Sequence, residues 1–168
     1  MADKSIKIMI GIGALVLILG GLLLVAEPDQ NSEGLSPKQA LAHGLEANET
    51  NYDFGNVSMK AGKVSRIFEV KNIMEEELEL EKMYTSCMCT EAWLIMDGKE
   101  LGPFGMPGHS GVPPIRKSMG RNQNAQIKVV FDPAAHGPSG LGPIARSVIL
   151  ESKDHAPLTL DIKANVTP

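Results

Sequence analysis

The sequence lacks any excess of positive charge. Its 16 lysines and arginines are outnumbered by 20 aspartates and glutamates, which gives a formal net charge of −4. The basic residues are scattered, apart from a pair at Arg116 and Lys117. Because binding to nucleic acid needs a basic face, this composition excludes nucleic acid as the expected partner.

The sequence also lacks the motifs of the common enzyme classes. It has no Ser/His/Asp set in a recognisable context, no phosphate-binding loop and no H-E-x-x-H helix. A cysteine–histidine nucleophile pair would need electropositive surroundings to lower the pKa of its thiol. The segment around the two cysteines, Glu81–Ala92, is not notably basic. We therefore expect the protein not to be an enzyme.

One long apolar run is present near the N-terminus. Residues 8–26 contain no charged or strongly polar side chain, and ~20 apolar residues in a helix cross a hydrocarbon core of ~30 Å. Lys4 and Lys7 precede the run, and acidic residues follow it. A cleaved signal peptide is the rival interpretation, but its apolar region is usually shorter and ends in a small-x-small site. The sequence predicts a single-pass protein of the cell membrane, with residues 1–7 in the cytoplasm and the remainder periplasmic or at the cell surface.

A polar linker is predicted after the apolar run, over residues 27–50. Ser36 suits a helix N-cap and Pro37 suits the first helical position. A short helix therefore fits within this linker.

Alternating apolar and polar side chains begin at residue 51 and predict an antiparallel β-sandwich over residues 51–168. Within residues 77–84 the alternation places Tyr84 on the same face as the leucines and Met83 on the opposite face. The pair Asp97-Gly98 predicts a hairpin. The most regular alternation is at the C-terminus, where one face is expected to carry Leu158, Leu160, Ile162, Ala164 and Val166.

Residues 101–124 depart from this pattern because they are dense in glycine and proline. A connection of this length within a compact sandwich is unusual, and such loops are functional or disordered. The sequence predicts a long loop here that could fold back near the cysteines.

Several segments, in this order, resemble a bacterial family, the domain of unknown function DUF1573. They are FGNV at Phe54–Val57, TSCMCT at Thr85–Thr90, VVFDP at Val129–Pro133 and the closing alternating strand. The resemblance covers about residues 51–166. It implies an all-β fold, an immunoglobulin-like antiparallel sandwich of about seven strands related to major-sperm-protein and Hydin-type domains, in a typically exported protein. A typical member has a shorter connection after the cysteines, and the family name assigns no activity.

The only two cysteines, Cys87 and Cys89, lie one residue apart. In an extended strand both would project to the same side, with Cα atoms ~6.5–7 Å apart. A disulfide prefers ~4.4–6.8 Å, so it would need a bent backbone, and it would close almost no loop. Metal ligation, thiol redox chemistry and packing as small buried side chains all remain open.

A metal site would need donors beyond the two thiolates. Met106 and His109 in the glycine- and proline-rich loop, and His136 after a predicted strand, are candidates. Thiolate, thioether and imidazole together favour copper, as Cu(I), or zinc over hard cations. The alternative for Met106, His109 and His136 is an ordinary structural role in loops and turns.

Taken together, the sequence predicts a membrane-anchored, extracytoplasmic immunoglobulin-like binding or scaffolding module that interacts with another protein of the cell envelope. The alternative is a soft-metal or thiol-redox module that uses the two cysteines and the inserted loop.

Overall fold

Two sheets of five strands each make up the part of the chain that the computed structural model describes, residues 43–109 and 112–168. Two short 3-10 helices, Met59–Ala61 and Gly137–Gly140, lie between strands. The strands are β1 (Leu45–Ala47), β2 (Asn51–Ser58), β3 (Val64–Asn72), β4 (Leu78–Thr85), β5 (Thr90–Met96), β6 (Lys99–Phe104), β7 (Lys117–Met119), β8 (Asn124–Phe131), β9 (Gly142–Ser152) and β10 (Leu158–Thr167).

The first sheet has the strand order β1-β3-β8-β5-β6, and the second has the order β2-β10-β9-β4-β7. Strands β2 and β10 pair in parallel, whereas the other pairs are antiparallel. The predicted all-β sandwich is confirmed. The resemblance implied about seven strands, whereas the described residues contain ten. Two of the ten, β1 and β7, have three residues each and are too short to show alternation.

The core lies between the inner faces of the two sheets. Phe68 of β3, Ile127 of β8 and Leu160 of β10 are at most 1% exposed. The predicted inner face of β10 is confirmed, since its members Leu158, Leu160, Ile162, Ala164 and Val166 are all buried.

The predicted faces at the end of β4 are wrong. Met83 is fully buried, whereas Tyr84 is only half-buried and its hydroxyl donates a hydrogen bond to Glu151 at 3.0 Å. The pairing of β4 with β9 shifts register between Leu80 and Lys82. Such a bulge inserts one extra residue, so the alternation inverts beyond it.

The hairpin at Asp97-Gly98 is confirmed and joins β5 to β6. Asp97 has a φ of 52° and Gly98 a φ of 71°. Positive φ at both central residues matches the tight turn whose twist suits a β-hairpin.

Residues 101–124 contain more regular structure than the predicted loop. Strand β6 continues to Phe104, and β7 lies within the segment. Pro103 is tolerated because β6 is an edge strand, where one side of the backbone has no ladder partner. The buried Asn72 side-chain amide also donates to the carbonyl oxygens of Met119 and Gly120 at 2.9 and 3.0 Å. These two bonds hold the end of the segment against β3.

The predicted cytoplasmic tail, apolar span and first part of the linker lie outside the described residues. Where the linker is described, Leu45–Ala47 forms β1 rather than helix, because it pairs with Val70–Asn72 of β3. Within residues 43–109 and 112–168, no helix has the length and hydropathy that a membrane crossing requires.

The burial of Leu160 leads to a test of the core. Leu160→Asp should lower the free energy of unfolding by about 3 kcal/mol or more, because it buries an unpaired charge. Thr159→Asp, one residue earlier on the exposed face of β10, should be nearly neutral. Chemical denaturation of the two variants measures the difference, and equal losses of stability would show that β10 presents the opposite face to the core.

Candidate dithiol and histidine site

The two cysteines lie in a turn that carries the chain from one sheet to the other. Strand β4 of the second sheet ends at Thr85, and β5 of the first sheet begins at Thr90. The Thr90 amide donates to the carbonyl of Cys87 at 3.1 Å. The Thr85 hydroxyl lies 3.0 and 2.9 Å from the carbonyl oxygens of Cys87 and Thr90. The cysteines therefore lie in a turn, and the spacing of an extended strand does not apply to them.

Hydrogen bonds to both sheets hold this turn in place. The Ser86 amide donates to the carbonyl of Ser147 on β9, and the Ser147 amide donates to the Ser86 hydroxyl oxygen, both at 2.9 Å. On the other side, the carbonyl of Cys89 accepts from the amide of Asp132, just beyond β8, at 2.9 Å. The cysteine backbone is thus positioned by one strand of each sheet.

The turn brings the two sulfur atoms together beside an imidazole and a guanidinium. The Sγ atoms of Cys87 and Cys89 are 2.7 Å apart, and both cysteines are free. Nε2 of His136 lies 3.2 Å from Cys87 Sγ, and Nε of Arg146 donates to Cys89 Sγ at 3.3 Å. Cys89 is only 2% exposed, Cys87 is half-buried and His136 is exposed. Each sulfur therefore has its own nitrogen neighbour.

His136 reaches this position through a compact turn after β8. The Asp132 carboxylate accepts a hydrogen bond from the Ala134 amide, and the Gly137 amide donates to the Ala134 carbonyl, both at 2.9 Å. Gly137 has a φ of 55°, a conformation that glycine adopts without steric cost. A Cβ atom at Gly140 would lie 3.2 Å from His136 Cβ, so glycine there lets the chain pass close to the histidine.

The surroundings make the two thiols electrostatically unequal. Burial raises the pKa of Cys87, but hydrogen bonds from the Cys89 thiol, the Cys89 amide and His136, with the charge of Arg146, outweigh burial and lower that pKa from 9.0 to about 7. Burial and the hydrogen bond to Cys87 raise the pKa of Cys89, although the bond from Arg146 opposes them. Cys87 is the thiol that ionises first.

An open cleft of about 500 Å³ adjoins the site. His136 and Arg146 line it together with Leu141, Pro143 and Ile144. Leu141 is 44% exposed. The cleft gives a ligand or partner access to the side of the cluster that carries the two nitrogen groups.

The structure brings together Cys87, Cys89 and His136 among the residues predicted as ligands. Among the described residues, the ligand atoms of Cys87, Cys89 and His136 all lie within 4.8 Å of one another. His109 is exposed and is not part of this group. Met106 follows Gly105, whose carbonyl accepts a hydrogen bond from the Thr85 amide at 3.2 Å, so the loop does begin beside the cysteine turn. Metal ligation by any of these residues stays a prediction.

Sequence reasoning missed Arg146 and the paired serines. Arg146 lies on β9, opposite Ile162 of β10. An arginine near the start of a strand carries no local signal of contact with a cysteine 57 residues earlier. Only the pairing of β9 with β4 reveals it.

Comparison with known families and structures agrees with this fold. Residues 45–99 match the family described as "Protein of unknown function (DUF1573)", which confirms the resemblance over that part of the chain. A comparison with curated proteins gives no match to this sequence. The chain is therefore an immunoglobulin-like β domain, and its residues 45–99 match a family that carries no assigned function.

Solved structures align with this chain at low identity. A protein of unknown function from Porphyromonas gingivalis W83 aligns with a TM-score of 0.53 and 16% identity, over 79% of this chain and 51% of that one. The chain thus spans about half the length of the Porphyromonas protein. The PapD-like domain 7 of human CEP192 aligns with a TM-score of 0.45 and 12% identity, over 75% of this chain and 87% of that one. The E. coli chaperone DraB aligns with a TM-score of 0.37 and 12% identity, over 76% of this chain and 56% of that one.

The unequal thiols lead to a test by alkylation. In the reduced protein, the rate of alkylation of Cys87 should rise with a midpoint near pH 7, because the thiolate is the reactive form. Cys89 should react more slowly and only at higher pH, since its pKa is raised and its side chain is buried. Peptide mapping by mass spectrometry separates the two rates. Equal midpoints for both cysteines, or faster reaction of Cys89, would contradict the assignment.

Proposed function

We propose that the protein is a membrane-anchored, extracytoplasmic immunoglobulin-like binding module, not an enzyme, and that its ligand is a soft metal ion. The observation that carries this proposal is the cluster of Cys87, Cys89 and His136, whose ligand atoms lie within 4.8 Å of one another. Two sulfur donors and one imidazole nitrogen form the type of ligand set that Cu(I) and Zn prefer over hard cations.

The geometry needs only a small change to admit an ion. Metal–sulfur bonds of ~2.3 Å at trigonal or tetrahedral angles place two sulfur ligands about 4 Å apart. The sulfur atoms are 2.7 Å apart without an ion, so side-chain rotation of about 1 Å opens the pair. The imidazole Nε2 already faces Cys87 Sγ at 3.2 Å. The backbone, which is hydrogen-bonded to both sheets, can stay in place.

A binding role agrees better with the surroundings of the cluster than a catalytic role. The thiols lie at a turn between sheets, and immunoglobulin-like folds host unrelated functions in sites on their loops. The adjoining cleft is open and is lined on one side by Leu141, Pro143 and Ile144. Such a surface suits contact with another protein that delivers or receives the ion. Under this proposal that partner is another protein of the cell envelope.

The proposed location rests on residues 8–26 and on the lysines that precede them. An uncleaved anchor would hold the sandwich and its partner in the same extracytoplasmic compartment. Reporter enzymes fused after Pro168 should be active only when the reporter is one that works outside the cytoplasm. Activity of a cytoplasm-specific reporter at that position would contradict both the topology and an envelope partner.

Metal titration of the full chain, reduced and purified in detergent, tests the function itself. The parent should bind one equivalent of Cu(I) or Zn²⁺ in competition with a chromophoric chelator. Cys87→Ser with Cys89→Ser should abolish binding, and His136→Ala should weaken it by tenfold or more, because loss of a ligand of the metal leaves an incomplete site.

His109→Ala is the matched control, because this exposed histidine lies outside the cluster. It should leave the affinity unchanged. Binding that survives loss of both cysteines would refute the site. A parent chain that binds neither ion, and instead interconverts between two free thiols and a Cys87–Cys89 disulfide, would replace the metal function with thiol redox chemistry.

A further inference from the structure

Arg146 places a permanent positive charge against the proposed metal ligands. Its Nε donates to Cys89 Sγ at 3.3 Å, and one of its terminal nitrogens donates to the Ala145 carbonyl at 2.7 Å. The second bond orients the guanidinium toward the sulfur. Arginine stays protonated under all ordinary conditions, so this charge does not depend on whether an ion is present.

The contact with Arg146 does not prevent Cys89 from binding a metal. A thiolate sulfur has several lone pairs, and the guanidinium occupies only one of them. His136 lies at the other sulfur, that of Cys87. The imidazole is thus free to complete the coordination of an ion while the arginine stays outside it.

The charge of the complete site depends on the ion. Two thiolates carry two negative charges and Arg146 carries one positive charge, so the site has a net charge of about −1 before an ion binds. A monovalent ion brings the sum to zero, whereas a divalent ion leaves one uncompensated positive charge. Cys89 is 2% exposed, so an uncompensated charge beside its sulfur is only partly solvated and has a free-energy cost.

We infer that Arg146 makes this site selective for Cu(I) over Zn²⁺. The inference rests on the proposed metal-binding function and identifies its ligand as a monovalent soft cation. Arg146 acts as a specificity-determining residue through the sulfur of Cys89 rather than as a ligand. At a separation of about 5 Å and an intermediate dielectric constant, the extra charge of Zn²⁺ corresponds to a selectivity of roughly tenfold to a hundredfold.

The test compares the dissociation constants for Cu(I) and Zn²⁺ of the reduced full chain in detergent, each measured against a chromophoric chelator. Arg146→Gln removes the charge but keeps a hydrogen-bond donor. Arg146→Gln should reduce the preference for Cu(I), expressed as the Zn²⁺ dissociation constant divided by the Cu(I) dissociation constant, by about tenfold or more. The main reason is that this variant should bind Zn²⁺ more tightly. Arg146→Lys keeps the charge and should retain most of the ratio. Thermal unfolding of both variants verifies that the sandwich is intact.

The outcomes separate this inference from the proposed function. Suppose that Arg146→Gln has the same ratio of Zn²⁺ to Cu(I) dissociation constants as the parent, while His136→Ala weakens the binding of both ions. The metal site then stands, and the proposed role of Arg146 is overturned. If Arg146→Lys, which keeps the charge, loses the parent's selectivity for Cu(I), charge is not the cause and the inference fails. This comparison with the parent holds even if the glutamine variant does not fold. If the parent binds neither ion, the proposed function and the inference both fail.

Discussion

The site depends above all on the hydrogen bonds that hold the turn between β4 and β5 to both sheets. Ser86 and Ser147 exchange two hydrogen bonds on the side of β9, and Cys89 accepts one from Asp132 on the side of β8. Because these partners lie on different sheets, the relative placement of the sheets determines where the sulfur atoms point. The same two attachments bring Arg146, next to Ser147, and His136, four residues after Asp132, to opposite sulfur atoms.

This arrangement gives two adjacent thiols different properties. Cys87 is half-buried beside an imidazole, and its pKa is lowered to about 7, whereas burial raises the pKa of Cys89. A metal ion would replace the thiol protons. It would also relieve the steric repulsion between two sulfur atoms that are 2.7 Å apart. Within this account, the imidazole acts as a ligand and the guanidinium adjusts the charge.

Much of the fold could be predicted from the sequence because half-buried strands leave a local pattern. The inner face of β10 followed from alternation alone, and the hairpin followed from Asp97-Gly98. The face of Met83 could not be predicted, because a bulge elsewhere in β4 inverts the alternation. Strand β1 was missed since three residues are too few to show a period.

The candidate site was predictable only in part, because its members meet through long-range pairing. Only Met88 separates the two cysteines in the sequence, and His136 was one of three candidates for further ligands. The sequence could not rank His136 against Met106 and His109, whereas the pairing of Thr90 with Phe131 brings the chain after β8 to the cysteines. Arg146 gave no local signal at all. Strand pairing of this kind is a property of the whole sheet rather than of any short segment.

X-ray absorption at the copper edge of the Cu(I)-loaded full chain tests the central claim most directly. The account predicts two sulfur neighbours at about 2.3 Å and one nitrogen neighbour at about 2.0 Å, as expected for thiolate and imidazole ligands. The nitrogen contribution should disappear in His136→Ala. A spectrum with only oxygen and nitrogen neighbours, or one that is unchanged when both cysteines are replaced by serine, would contradict the account.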